Sequence, residues 1–293
     1  MSTIAFFGAI ETGLIFALVA FGVFIAFRVL NFPDLTVDGS FPLGAAVAAS
    51  LIVAGYHPWW ATCIAMGAGF VAGSVTAWLN VRLQILHLLA SILTMIALYS
   101  INLRIMGRPN IALLGETTVL TPWEALPLPY YLIAPLFLAL VVALICWGLI
   151  AFMHSETGLA MRAAGANPRM ARAQGVNTGY LTILGIGLAN ALVALAGAFF
   201  AQTQGSADVT MGVGVIVVGL AAVIGGEALI ATTSLARWVV AVLIGALVYR
   251  LAVALALNTD ALGLQAQDLN LVTSVLVTLA IVAPRFKKPL SKR

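Results

Sequence analysis

Two stretches of the chain place polar groups where the surrounding sequence is apolar. Residues 29–44 read VLNFPDLTVDGSFPLG. Pro33, Asp34, Thr36, Asp38, Gly39 and Ser40 interrupt two apolar runs there. Non-helical backbone at membrane depth is tolerated only where it is buried in protein or lines a water-filled cavity. Carboxylates and hydroxyls in such a break, beside free backbone groups, suit the passage of a polar solute. The same residues also suit a turn in water, with Asp38 and Ser40 as helix N-caps. The second stretch, residues 219–237, reads GLAAVIGGEALIATTSLAR. Gly225, Gly226 and Glu227 end one apolar run, and Thr232, Thr233 and Ser234 open the next. It fits the matching half-helix break of an internal repeat, a pointer to a transport path. It equally fits a hairpin capped by Ser234.

Bond-making chemistry has no sequence signature here. The chain lacks a Walker A pattern, H-E-x-x-H, G-x-S-x-G and any Cys/His cluster. His57, His87 and His154 are too far apart in sequence to suggest a metal site. Nothing in the chain can hydrolyse a nucleotide, so ATP-driven work would need a separate subunit. Glu11, His87, Asn102, Asn190, Gln202, Gln204 and Arg250 stand alone inside apolar runs. Ionisable groups in that setting are costly and default to functional hypotheses. Glu11 sits close enough to a span end to reach headgroups, Arg250 is long enough to snorkel, and the amides can bond to neighbouring helices. Cys63 and Cys146 lie in apolar runs and read as buried packing rather than a disulfide.

The elements that hold these residues follow from composition. Of 293 residues, 62% are hydrophobic and 8% charged, against roughly 25% charged in a soluble domain. A soluble enzyme of this length needs more polar surface, and a disordered chain needs low hydrophobicity with high net charge. An all-α polytopic membrane protein remains. A bilayer core about 30 Å thick requires about 20 apolar residues per helix. On that criterion nine spans are expected, near 4–27, 41–55, 58–80, 85–106, 131–153, 177–203, 212–230, 235–257 and 268–283. The second and last are short, which leaves eight or ten open. One transmembrane unit covers 1–293, with a first half to about 153, a connecting loop at 154–176, a second half from 177 and a basic tail from 285.

Basic residues set the expected orientation. With the C-terminus in the cytoplasm, Arg28, Arg82, Arg162, Arg169, Arg172, Arg237, Arg285, Lys287, Lys288, Lys292 and Arg293 all fall inside, eleven of the fourteen. Arg104 and Arg108 fall outside. Nine spans then put the N-terminus outside. The net charge of +4 comes without a polar surface that could track phosphates, so nucleic acid is not an expected partner. The tail reads as an anchor facing anionic lipid.

The loop at 154–176, HSETGLAMRAAGANPRMARAQGV, breaks the apolar pattern with three arginines. Its first piece, Thr157 to Ala164, can be capped by Thr157. Its second starts at Asn167 with Pro168 at the first helical position, where a missing N–H costs nothing, and Gly175 stops it. Its alanines permit close docking of another protein, although an ordinary connector reads the same way. Residues 107–130 form the other long loop, rich in Pro, Thr and aromatics, as expected on a membrane surface.

Three segments resemble one family. GLIFALVAFGVFIAFRVLNFPDLTVDGSFPLGAAVAAS at 13–50, TGLAMRAAGANPRMARAQGVN at 157–177 and GLAAVIGGEALIATTSLARWVVAVLIGALVYRL at 219–251 are together similar to the membrane permease subunit of bacterial ABC importers, in the branched-chain amino acid, ribose and simple-sugar superfamily. Asn31-Phe32-Pro33-Asp34 stands where sugar permeases tend to have Gly-Gly-Ile-Asp. The variant looks closer to a subgroup associated with uptake of amino acids, including aromatic ones. The resemblance implies a bacterial inner-membrane protein working as a dimer of permease subunits, with a homodimer expected. It implies two cytoplasmic P-loop ATPase subunits that carry ATP and magnesium, and an extracytoplasmic substrate-binding protein. No cofactor is expected on this chain. It implies that Arg162, Gly165, Asn167, Pro168, Arg169, Ala171, Arg172, Gln174 and Gly175 form the ATPase-coupling helices. The two breaks themselves supply the candidate translocation pathway, Pro33, Asp34, Thr36, Asp38, Gly39, Ser40, Gly225, Gly226 and Glu227. The alternatives are an ion-gradient-driven secondary transporter with Asp34, Asp38 or Glu227 as the coupled carboxylate, and a sugar or nucleoside permease.

Overall fold

The computed structural model describes residues 3–123, 129–230 and 234–257, with single positions at 127, 275 and 278. Among the described residues the chain is almost wholly helical. Helix α1 (Thr3–Val23) runs into a π-helical segment, Phe24–Val29. There follow α2 (Val37–Val53), α3 (Pro58–Leu83), α4 (His87–Met106) and α5 (Tyr130–His154). Two short helices, α6 (Glu156–Ala166) and α7 (Pro168–Ala173), precede α8 (Thr178–Gln204), α9 (Val215–Leu229) and α10 (Leu235–Leu257).

Among the described residues, six helices have the length and apolarity to cross a membrane: Thr3–Val29, α3, α4, α5, α8 and α10. The other two apolar helices, α2 and α9, have 17 and 15 residues. They rise about 25 and 22 Å, short of a bilayer core of about 30 Å. Eight of the nine expected spans fall on described helices. The ninth, 268–283, and the basic tail lie outside the described residues.

The ends of the helices follow local chemistry. Pro58 opens α3 behind His57, whose ring accepts from the Trp59 N–H at 3.4 Å. Gln84, Gly107 and Gly205 close α3, α4 and α8 in the left-handed conformation, which lets a terminal N–H turn back onto an orphan carbonyl. At one end of the bundle, β1 (Asn110–Ala112) pairs antiparallel with β2 (Ser206–Asp208), Ile111 opposite Ala207. The α6–α7 pair lies at the opposite ends of α5 and α8.

Helix α8 is the central pillar. It packs on α1, α2 and α3, and the approach is glycine-dependent. A methyl group at Gly69 or Gly73 of α3 would strike the Asn190 or Ile186 carbonyl of α8. One at Gly197 of α8 would strike the Phe41 carbonyl of α2. Without a hydrophobic driving force between helices in lipid, such backbone-to-backbone packing is what holds them. The Gly69-x-x-x-Gly73 pattern therefore works as a helix contact. Phe16, Phe41 and Phe200 close the junction of α1, α2 and α8, with ring centroids 5.5–6.3 Å apart.

Candidate functional site

The break between α1 and α2 is the polar centre of the bundle. After the π-helical turn the chain passes Asn31, whose φ is 53°, and runs as irregular backbone through 31–34 into a turn at 35–36 that opens α2. Asp34 is fully buried. Its carboxylate accepts from the Thr36 N–H at 2.9 Å and from Asn190 Nδ2 of α8 at 2.6 Å. Asn190 Oδ1 in turn accepts from Ser40 Oγ at 2.7 Å. The Thr36 hydroxyl meets that of Thr76 on α3 at 2.9 Å. This network ties the break to α3 and α8 in a setting of low dielectric, where satisfied hydrogen bonds are strong. Pro33 is half-buried beside it, while Thr36 and Ser40 are fully buried.

Asp38 faces the other way and does not cap its own helix. Its carboxylate accepts from the backbone N–H groups of Gly214, at 3.2 Å, and Ile216, at 2.8 Å. It therefore caps α9, where unpaired N–H groups and the helix dipole favour an anion. Pro42 lies inside α2 and lacks the N–H that would bond to the Asp38 carbonyl. Gly212 approaches that carbonyl so closely that a Cβ would collide with it. The loop ahead of α9 is thus stitched to the first turn of α2.

A cavity of about 480 Å³ opens along this seam. Asp38, Gly39 and Pro42 form one wall, Met95, Tyr99, Ser100 and Asn102 of α4 the second, and Val209, Thr210 and Val213 the third. Asn102 is fully buried, and its Nδ2 donates to the Gly39 carbonyl at 3.3 Å. Thr210 gives both its N–H, at 2.7 Å, and its hydroxyl, at 2.6 Å, to Asp208. Those two bonds, the hydroxyl's first, hold the Asp208 carboxyl below the ordinary range.

Of the break residues expected to line a path, the structure brings Asp38 and Gly39 to this cavity. It draws Asp34, Thr36 and Ser40 into the helix network instead. In the second stretch, Gly225, Gly226 and Glu227 lie in the last turns of α9, which ends at Leu229, and Ser234 stands just before α10. A further non-helical segment precedes α9, at 205–214. Gly226 is in a helix because it packs on α10, where a methyl group would meet the Ala241 carbonyl. Gly225 borders open space. Glu227 Oε1 lies 2.9 Å from Arg28 Nε, and the Arg28 guanidinium sits 4.7 Å from the Trp238 ring centroid. Thr232 and Thr233 lie outside the described residues, and Ser234 accepts from the Arg237 N–H at 3.4 Å. Arg250, expected to snorkel, places its guanidinium 4.0 Å from the Phe16 ring centroid.

The 154–176 loop forms two capped helices. Asn167 Oδ1 accepts from the Met170 N–H at 3.1 Å with Pro168 at the first position. Gly175 turns the chain at φ 83°. The first helix starts earlier than expected, because Ser155 rather than Thr157 caps it, accepting from the Gly158 N–H at 3.3 Å. Gly165 is seated on the backbone of Val29 and Leu30, where no Cβ fits. Ala171 is buried with Ala164 and Leu181 of its own chain. The outward face presents Arg162, Asn167, Pro168, Arg169, Arg172 and Gln174, together with Met170, which is 63% exposed. Met170 and Thr76 escaped the sequence reading. An apolar residue in a cap turn, and a threonine bonded to its own helix carbonyl, carry no distinctive pattern. No group of three metal-ligating side chains occurs among the described residues.

The profile of the family described as "Branched-chain amino acid transport system / permease component" matches residues 5–282. The chain is 36% identical over 265 residues to the tyrosine transport system permease protein of Clostridioides difficile (strain R20291), covering 90% of this chain and 86% of that protein. It is 27% identical over 259 residues to the ribose import permease protein RbsC of Escherichia coli (strain K12), covering 87% of this chain and 78% of that one. Among solved structures, PsaBC from Streptococcus pneumoniae in complex with Fab superposes with a TM-score of 0.51 at 12% identity, over 93% of this chain and 89% of that one. That likeness concerns the fold alone.

Proposed function

The chain belongs to the branched-chain amino acid transport permease family, and from that premise we propose that it is the membrane subunit of an ATP-driven importer of an amino acid or a related small solute. It works as a dimer, most simply of two copies, in the inner membrane. A substrate-binding protein delivers solute at the β1–β2 end, outside. Two ATPase subunits dock at the α6–α7 end, inside, and hold the ATP and magnesium. The chain itself makes and breaks no bonds.

The observation that carries this reading is the seating of α6 on the break. Gly165 packs against the backbone of Val29 and Leu30. A few residues further on, the same chain becomes the buried Asp34 network and then Asp38, which holds α9. A displacement of α6–α7 by a docked partner is transmitted through packed, close-contacting backbone to the cavity wall. Discrete repacking of this kind amplifies small shifts at one site into larger ones at another. The amino acid assignment is supported by the tyrosine permease relative and by the Asn-Phe-Pro-Asp variant of the break.

The test is reconstitution in proteoliposomes with the cognate ATPase and binding protein, following labelled L-tyrosine and ribose. Uptake of tyrosine that requires ATP, persists after ion gradients are collapsed and is unaffected by excess ribose is the expected result. Uptake driven by a gradient without ATP overturns the importer reading. ATP-driven uptake of ribose and not tyrosine overturns the substrate class alone.

A further inference from the structure

Resting on that reading, we propose that the cavity between α2, α4 and the loop before α9 is a station for the ammonium end of the solute, with Asn102 as its specificity-determining residue. Asn102 Nδ2 is committed to the Gly39 carbonyl at 3.3 Å, which fixes the orientation of the amide. Its Oδ1 is buried and has no hydrogen-bond partner among the described residues. A buried carbonyl oxygen left without a donor is costly, and the residue lines a cavity of about 480 Å³. That is room for a single small solute.

The other groups of the cavity define what fits. Its one charged side chain among the described residues is Asp38. The backbone N–H groups at the start of α9, which would otherwise receive a carboxylate, are already taken by Asp38. The Thr210 hydroxyl is likewise spent on Asp208. Among the described residues no lysine, arginine or histidine lines the space. The acceptors at the cavity are therefore the remaining lone pairs of Asp38 and, enclosed in its wall, Asn102 Oδ1, and both suit a donor-rich group. A primary ammonium has three N–H donors and no acceptor. Beside these acceptors, Met95, Ile96, Tyr99, Val209 and Val213 supply an apolar slot for a side chain. An anion without an amine finds neither a cation nor a free helix N-terminus.

The experiment needs no ATPase. In the full-length chain in lipid nanodiscs, with Cys63 and Cys146 replaced by serine, a Val213→Cys thiol is modified with a neutral methanethiosulfonate. L-Phenylalanine, phenethylamine and 3-phenylpropionate are added in turn at millimolar concentration. Phenylalanine and phenethylamine are expected to slow modification, roughly tenfold once each is at about ten times its dissociation constant. Phenylpropionate leaves the rate unchanged. Asn102→Leu removes the protection, read as the ratio of unprotected to protected rate within the same variant, and Asn102→Gln restores part of it. Equal protection by phenylpropionate, full protection in Asn102→Leu, or no protection by either amine at any soluble concentration overturns the proposal. Protection without ATP-driven uptake removes the importer reading and leaves the amine station. Uptake without protection does the reverse.

Discussion

Asn190 shows how much of this molecule turns on single side chains. It accepts from Ser40 and donates to Asp34, so one amide joins both sides of the break to α8. Replacing it with leucine leaves a buried carboxylate without its shortest hydrogen bond and a buried serine without its acceptor. The expected loss is about 2–4 kcal/mol, read as a lower unfolding temperature of the detergent-solubilised protein. Ser40→Ala removes one neutral bond and is expected to cost about 1 kcal/mol. If both variants melt with the parent, the crossing does not hold the break in place. Glu227 is a contrasting case. Its ion pair with Arg28 is partly exposed, at 47% for the arginine side chain and 26% for the glutamate, and solvent screens such a pair to about 0–1 kcal/mol. Glu227→Gln is expected to leave uptake in the reconstituted system within about fivefold of the parent, the factor that about 1 kcal/mol makes in an equilibrium. A collapse of uptake would instead place Glu227 on the solute's path.

At the level of elements, the α6–α7 pair has an inner and an outer face, and the two are separable. Gly165→Ala forces a methyl group into the carbonyl of Val29, shifting the seat while leaving the outer face unchanged. Met170→Glu alters the outer face, where the side chain is exposed, and leaves the seat intact. Both are expected to lower substrate-stimulated ATP hydrolysis about tenfold, a loss of roughly 1.4 kcal/mol in docking or coupling. They differ in binding: Met170→Glu weakens pull-down of the ATPase, and Gly165→Ala retains it. Unchanged hydrolysis in both variants would make the loop a connector. Ala171, whose small side chain pointed to the partner in the sequence reading, is buried against Ala164 and Leu181, so its enlargement disturbs the chain itself.

The same elements show what could be read from residue order. The caps at Asn167 and Pro168 and the stop at Gly175 are local chemistry and were legible. Helical geometry also separates the break residues: Thr36 and Ser40 are four apart and share a face, whereas Asp38 lies two residues from each, on the opposite side. The structure follows that division, with Thr36 and Ser40 in the network and Asp38 at the cavity. The Gly225-Gly226 pair was not legible. Adjacent glycines serve a break or a close helix contact equally well, and only the position of α10 decides between them. The partners of Asp34 and Asp38 were also hidden, since Asn190 lies 156 residues from Asp34, and Gly214 lies 176 from Asp38.

On the scale of the whole molecule, the two polar ends of the bundle are structurally distinct, which makes orientation testable. The loop that follows α4 is fixed to the helix bundle, because the Val119 N–H donates to Gln202 Oε1 at 3.1 Å and Gln202 Nε2 donates to Thr62 at 3.0 Å. Glu116 is exposed on that loop, and Gln174 is exposed just after α7. Helix α5 and helix α8, of 25 and 27 residues, rise about 37 and 40 Å. That exceeds a bilayer core of about 30 Å, so these two positions are expected on opposite sides of the membrane. The basic residues set the expected orientation. Arg162, Arg169 and Arg172 are exposed around α6 and α7, and short loops rich in arginine stay in the cytoplasm. With Cys63 and Cys146 replaced by serine, a membrane-impermeant maleimide added to intact cells is expected to label Glu116→Cys and not Gln174→Cys. Both are labelled after the membrane is permeabilised. Labelling of Gln174→Cys alone in intact cells reverses the orientation and removes α6–α7 from the reach of any cytoplasmic ATPase. Labelling of both in intact cells would mean that α5 and α8 do not span, against their length and their mean hydropathy of 2.8 and 2.1.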